Sequence, residues 1–291
     1  MQLVTWDTQW CCGLDGRVDV ARIVRDALSM DAPDVLCLQE IAVNHPGLPG
    51  TPGDQVAQVR QALPPGWQVF FGAAVDTWTA AGRQRFGNLV ATRLPVLQLQ
   101  HHPLPYPADA GVRSMPRLCS VLTVASPLLG AVRVMTTHLE YYSRVQRMAQ
   151  ARALRALHLQ ACAQAARPPA PAADGSPFQD QPHTPHAVLC GDFNLQAGEP
   201  EYAHLAAPLS AEEAAGWAEP GVPALHDAWR LLHPHTPQPP TFCLFDRRFS
   251  GQPIACDFVW VSDSLKGRVR AMQIDGATQA SDHQPVLLAL G

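Results

Sequence analysis

Short apolar runs that each stop on an acid, an amide or a histidine most constrain how this chain can fold. Four such endings stand out: Trp6-Asp7, Gln39-Glu40, Gly191-Asp192-Phe193-Asn194 and Ser281-Asp282-His283. The runs leading to them are too short for buried helices and read as strands. Residues 2–8 form one strand and the run 34–40 another, and helical spacing of apolar residues over 17–30 lies between them, with Asp15 or Asp19 near its start. Strand, helix and strand within forty residues make a βαβ unit. The residues just past the carboxyl ends of parallel strands in such units converge on one crevice.

The remaining pattern is strand-rich. Residues 54–63 read as a helix, and 67–75, 88–92, 96–100, 118–125 and 131–137 as strands with short turns that suit antiparallel pairing. A long Ala-, Arg-, Leu- and Gln-rich helix is predicted over 143–166, capped by Ser143. Strands follow at 187–190, 256–262, 268–274 and 285–290. Proline-rich stretches at 168–187 and 208–240 read as flexible surface loops within a single domain spanning 1–291. No solenoid-period repeat is present, although a two-fold duplicated layout is compatible with the order of elements.

Composition narrows the partners. Of 291 residues 47% are hydrophobic and 16% charged, with a net charge of −4, which is the balance of a globular core-forming chain. An acidic balance disfavours wide electrostatic coverage of nucleic acid. No apolar run reaches the roughly 18 residues a membrane span needs, and residues 1–6 lead straight into a strand without a signal-peptide pattern. A cytoplasmic location is therefore expected, and nothing calls for an obligate protein partner. The eight cysteines form no CxxC pair and mostly sit in apolar runs, so buried free thiols are expected. His183 with His186, and His233 with His235, lie in the proline-rich stretches and read as solvated loop residues rather than zinc ligands.

Each strand ending has a purely structural reading. Glu40 can be the polar residue that stops a strand, Gly-Asp-x-Asn is good turn chemistry, and Ser281-Asp282 can turn the chain. Together they supply four acids, an amide and a histidine to one crevice. That set suits divalent-metal phosphoester hydrolysis, because hard Mg²⁺ prefers carboxylate oxygens and a bound cation stabilises charge on a phosphoryl group.

The stretches LVTWDTQW, DVLCLQE, RFGNLVATRLPV, MTTHLEYYS, VLCGDFN, CDFVWVS and SDHQPV, in that order from residue 3 to 286, resemble the endonuclease/exonuclease/phosphatase superfamily. The resemblance implies an α/β (α+β) four-layer sandwich of two packed mixed β-sheets flanked by helices. It also implies Mg²⁺ or Mn²⁺, as one ion or two, and in-line attack of an activated water on a phosphoester. Carried over residue by residue, it makes Glu40 and Asp282 metal ligands. It gives Asp192 and Asn194 the attacking water, with Asn194 also on the phosphate. His138 and His283 become the site histidines, Asp257 the residue holding His283, and Arg117 a phosphate contact that otherwise reads as covering a sheet edge. Asn88, in a Gly-Asn-Leu turn, reads as structural.

Two positions depart from the family pattern. Asp7 stands where Trp-Asn is usual, and it either joins the metal ligands or repels the substrate; two close carboxylates there should titrate together. Gln9 replaces the acid of the apurinic-endonuclease type, which leads away from DNA repair. The candidate nucleic-acid contacts are Arg83, Arg85, Arg113, Arg117, Arg247 and Arg248 with Tyr141 and Tyr142, all equally readable as loop residues. A small phosphodiester or phosphomonoester fits as well as a polymer. The rival reading, prompted by Asp7, is a catalytically weakened binding or scaffold protein of the same fold; a Ser/His/Asp hydrolase lacks its Gly-x-Ser-x-Gly elbow.

Overall fold

In the computed structural model, which describes every residue except Gln179, the chain forms two six-stranded mixed sheets. The first contains β1 (Gln2–Asp7), β2 (Val35–Val43), β3 (Gln68–Thr79), β4 (Gly82–Thr92), β11 (Val269–Ile274) and β12 (Val286–Leu290), in the order β11-β12-β1-β2-β4-β3. The second contains β5 (Val96–Pro103), β6 (Leu118–Ser126), β7 (Gly130–His138), β8 (Ala187–Asp192), β9 (Leu225–Asp227) and β10 (Asp257–Ser262), in the order β5-β6-β7-β8-β10-β9. The two orders correspond strand for strand. In both, the middle pair (β1 with β2, β7 with β8) is parallel and every other pair is antiparallel. The duplicated layout compatible with the sequence is thus present, with α1 (Val20–Ser29) and α3 (Arg144–Ala166) as corresponding crossover helices.

Alternation along the strands builds the layers. Leu3 and Val35 of the first sheet and Val134, Val188 and Val259 of the second fill the space between the sheets. Val4, Trp6, Leu36 and Leu38 point the other way, under α1 and α2 (Gln55–Ala62). Met135, Leu189, Phe258 and Trp260 do the same beneath α3 and α4 (Pro200–Leu205). Helix, sheet, sheet and helix give the four-layer sandwich expected. Local chemistry starts the helices: Asp19, Asp54 and Ser143 accept hydrogen bonds from the backbone amides of Arg22, Ala57 and Gln146.

Two expectations are corrected. The stretch 208–240 is not all loop, since it holds β9 and α5 (Ala228–Leu232), a three-residue strand and a five-residue helix too short to carry a periodic signal. Asn88 lies within β4, not in a turn, because β3 pairs with β4 straight through it, Gly72 facing Asn88 and Ala73 facing Gly87. Its amide nitrogen donates to the Leu118 carbonyl at 3.4 Å, joining the two sheets. Of the loop 168–187, Gln179 lies outside the described residues.

Candidate active site

Strand parity decides which side chains meet. On the inner face, β1 runs Leu3, Thr5, Asp7 and β8 runs Val188, Cys190, Asp192, so apolar positions give way to polar ones at the carboxyl ends. His138 closes β7 on the same face, and Asp257 opens β10 directly opposite Asp192. Because β12 is antiparallel to β1, Asp282 and His283, in the segment that leads into β12, arrive at this end as well. All eight residues expected to bind metal or act in catalysis gather here, with Arg117 beside them. Seven of the eight and Arg117 line a cavity of about 550 Å³; Asp257 sits behind His283.

Two backbone devices aim the acids. Glu40 has φ +59° within the bulge where Gln39 and Glu40 together face Asn88, which turns its carboxylate into the cavity. A non-glycine residue in this left-handed region is uncommon and costs of order 1–3 kcal/mol. Asn194 has φ +51° in a tight turn after β8, where its amide N–H donates to Asp192 Oδ1 at 2.8 Å. The same turn recurs after β1, where Gln9, at φ +48°, donates its amide N–H to Asp7 Oδ1 at 3.1 Å. Gly191, at φ +138°, lets β8 press on β7; a Cβ there would fall 1.8 Å from the Thr137 carbonyl oxygen.

His138 is the hub of the acids. Its Nδ1 lies 3.2 Å from Asp7 Oδ2 and 4.0 Å from Glu40 Oε1, while its Nε2 lies 3.4 Å from Asp192 Oδ2. Asn194 Nδ2 donates to His138 Nε2 at 3.0 Å and to the Leu139 carbonyl at 2.9 Å. Burial foremost, then the nearby positive charges of Arg117 and His283, push His138 well below the usual histidine range. His283 is opposite in character. Burial works against its charge, but the Asp257 carboxylate, accepting from Nδ1 at 2.9 Å, together with Cys256 moves the ring well above the ordinary value. Phe242 stacks on the His283 ring at 4.3 Å between centroids.

The donor set fits a hard divalent cation. Burial raises Asp7, Glu40, Asp192 and Asp282, and charges within the cluster add to it: Glu40 on Asp7, Asp282 on Glu40, and Asp257 on Asp192 and Asp282. Glu40 and Asp192 are pushed up to about 7. Asp7 Oδ2, despite its closeness to His138, has no hydrogen-bond partner and belongs to a residue only 1% exposed. An orphaned buried carboxylate oxygen within a mutually repelling oxygen cluster is the environment a divalent cation relieves. Asp7, His138 and Asp192 each offer a ligand atom within 4.8 Å of the others. The histidine pairs at 183/186 and 233/235 join no such cluster among the described residues.

Several contacts escaped sequence reasoning. Gln9 Nε2 donates to Asp282 Oδ2 at 2.8 Å, and Ser281 Oγ donates to the Asp7 carbonyl at 2.8 Å, tying the first and last motifs together. Trp6 Nε1 reaches the His283 carbonyl at 3.0 Å. Their position inside the motifs was a signal, but their partners lie more than 270 residues away in sequence. Glu140, fully buried, takes Arg117 as an ion-pair partner at 3.2 Å, so Arg117 is anchored at the site and does not cover a sheet edge. Of the other candidate contacts, Arg113, Tyr141 and Tyr142 line the cavity, whereas Arg83, Arg85, Arg247 and Arg248 do not.

This constellation has relatives. Residues 4–283 match the Endonuclease/Exonuclease/phosphatase family. The chain belongs to that family. In overall structure it is similar to an endonuclease/exonuclease/phosphatase from Beutenbergia cavernae, with a TM-score of 0.68 and 24% identity, over 100% of this chain and 72% of that one. A mannosyl-6-phosphatase from Bacteroides thetaiotaomicron gives a TM-score of 0.66 and 16% identity, over 100% of this chain and 99% of that one. TDP2 from D. rerio, in complex with a single-strand DNA product, gives 0.63 and 16%, over 100% and 98%. At these identities the likeness is one of fold. No curated protein matches the chain at a significant level.

Proposed function

We propose that the protein is a Mg²⁺- or Mn²⁺-dependent phosphoester hydrolase acting by in-line attack of water. The observation that carries this reading is the buried carboxylate cluster with an unpartnered Asp7 oxygen, facing a His283–Asp257 pair across one cavity. Glu40, Asp282 and Asp7 would hold the cation, whose bound charge polarises the phosphoryl oxygen. Asp192, oriented through its Oδ1 by the Asn194 amide, takes the proton of the attacking water at Oδ2 as the water oxygen bonds to phosphorus and the opposite P–O bond breaks, the leaving oxygen taking a proton from solvent in the open cavity. Asn194 and the His138 ring it bonds fix that water's approach. His283, kept protonated by Asp257, donates a hydrogen bond to a phosphoryl oxygen, and Arg117 contacts another.

The scaffold alternative requires Asp7 to spoil the site. Against it, Gln9 satisfies one Asp7 oxygen, and the other, beside His138, is left without a hydrogen-bond partner, as an oxygen meant for a cation would be. The substrate favoured is a compact phosphodiester or phosphomonoester, since the cavity is about 550 Å³ and the chain carries a net charge of −4. The neighbours named for a sugar phosphatase and a DNA product leave both substrate classes in the test. A cytoplasmic site of action agrees with eight unpaired cysteines, all buried.

The test is hydrolysis by purified protein, in Mg²⁺ and in Mn²⁺, of DNA, RNA, sphingomyelin, sugar and inositol phosphates and a chromogenic phosphodiester. Cation-dependent turnover is expected, falling roughly 10²-fold or more in Glu40→Ala and His283→Ala. Turnover that survives either substitution overturns the assignment. Failure of the whole panel, with no thermal stabilisation by either cation, favours the scaffold.

A further inference from the structure

Glu140 has no part in the chemistry assigned above, yet it is among the most completely buried charged residues of the chain, at 0% exposure. It follows His138 by two residues, just beyond β7. Its Oε2 accepts from Arg117 Nε at 3.2 Å and from the Met115 amide at 3.3 Å, and its Oε1 accepts from the Tyr142 amide at 3.0 Å. Its own backbone is fixed too: Gln150 Oε1 accepts from the Glu140 amide at 2.9 Å, and Arg147 Nη1 donates to the Glu140 carbonyl at 3.1 Å. Long helix α3 therefore supports Glu140 from below through two of its side chains.

Arg117, 7% exposed, uses only one edge of its guanidinium on this carboxylate. Its Nη1 is buried and has no hydrogen-bond partner, although the residue lines the cavity beside His138 and Glu40. With only Nε engaged, most of the hydrogen-bonding capacity of this guanidinium is unused inside the protein, a cost that an anion at the cavity wall would relieve. A lone arginine among acids would also swing onto the nearest one, and Glu40 and Asp192 both feel its charge. Glu140 prevents that by claiming Nε.

We propose that Glu140 is a positioning residue that holds Arg117 in the orientation where the guanidinium edge left free by Nε receives a phosphoryl oxygen. Through the Met115 and Tyr142 amides it also sets the two chain segments that form the cavity mouth. Arg113 lies over the Tyr142 ring at 5.8 Å, joining the same two segments further out. The proposal rests on the phosphoesterase reading only through Arg117 as an anion contact, so its primary measurement is binding of inorganic phosphate, which needs no turnover.

Calorimetric titration with phosphate would compare wild type, Arg117→Ala, Glu140→Gln and the double variant. Arg117→Ala and Glu140→Gln should each weaken binding about 10- to 100-fold, the range of one charge-assisted hydrogen bond, and the double variant should be no weaker than Arg117→Ala. Guanidinium added at low millimolar concentration should restore phosphate binding to Arg117→Ala but not to the double variant, since the carboxylate is needed to seat it. In any active assay the loss should fall on KM more than on kcat. Additive losses, or equal rescue of both variants, overturn the role of Glu140. Full phosphate affinity in Arg117→Ala instead overturns the anion contact itself, leaving cation-dependent hydrolysis to its own test. Should Glu140→Gln fail to fold, failure of guanidinium to rescue Arg117→Ala is sufficient to overturn the proposal.

Discussion

Asp7 occupies the position where the family's first motif carries an amide, and its two oxygens have unequal fates. One is held by the Gln9 amide at 3.1 Å, and the other is buried without a partner among Glu40, His138 and Asp192. An amide in that place would keep one oxygen and exchange the orphan for a nitrogen that cannot ligate a hard cation. Asp7→Asn should therefore move the Mg²⁺ activation midpoint to higher concentration while turnover persists at saturation. Coincident Mg²⁺ curves for the two proteins would sink this account. Glu40 gives a second residue-scale prediction. Its folded value of about 7 lies above the ordinary 4.5, through burial first and then the charge of Asp282. For a raised carboxyl, the folded state gains nothing below the unfolded value and is increasingly penalised as pH rises toward the folded one, after which the penalty is constant. Glu40→Gln should therefore stabilise the metal-free protein at pH 8 by up to roughly 3 kcal/mol, shrinking toward zero near pH 4.5. Thermal melts at the two pH values check it, and a gain independent of pH would contradict it.

At the scale of elements, the site is a property of strand ends and the turns after them. Gly191 illustrates how tightly these are specified: its φ of +138° and the Thr137 carbonyl oxygen, 1.8 Å from where a Cβ would stand, leave no room for any side chain. Gly191→Ala should cost more than about 3 kcal/mol or prevent folding, read from denaturation midpoints. Wild-type stability would show that β7 and β8 can part without loss. The core strands and the long helix were readable because each repeats one signal over many residues. Val35 to Leu38 is a continuous apolar run, and Ser143 precedes a helix of 23 residues. What sequence reading missed was short or made by partners distant along the chain. Three residues of β9 and five of α5 are below any period, and the left-handed turn at Gln9–Cys11 has no glycine to mark it. The site's acids and histidines were legible from their positions after apolar runs. Glu140 was not, because its meaning depends on Arg117 and Met115, which lie on a different strand's approach.

The whole molecule is two corresponding sheets, yet the chain does not divide in the same way. The second sheet is one continuous stretch, β5 to β10, whereas the first is assembled from β1 to β4 and the closing pair β11 and β12. Gln2 pairs with Ala289, and the amino group of Met1 donates to the Leu290 carbonyl at 2.7 Å, so residues 1 and 291 lie close together. A circular permutant that joins them by a short linker and opens within 263–268 should be folded and active. It should also refold faster than the parent, since β12 then meets β1 locally instead of across the length of the chain. Stopped-flow refolding measures this, and an equal or slower rate would show that pairing of β1 with β12 is not limiting.

The same division has a consequence for how the site comes into being. Asp7, Glu40, Asp282 and His283 belong to one sheet's strands and turns, while Arg117, His138, Asp192, Asn194 and Asp257 belong to the other's. Neither half of the duplication owns the whole set: one brings all three proposed cation ligands and a histidine, the other brings the pair proposed to handle the water and the carboxylate bonded to that histidine. The cavity is in effect a joint between two half-molecules. Any change that shifts one sheet against the other, however far from the cavity, acts directly on the 2.9 Å contact between His283 and Asp257.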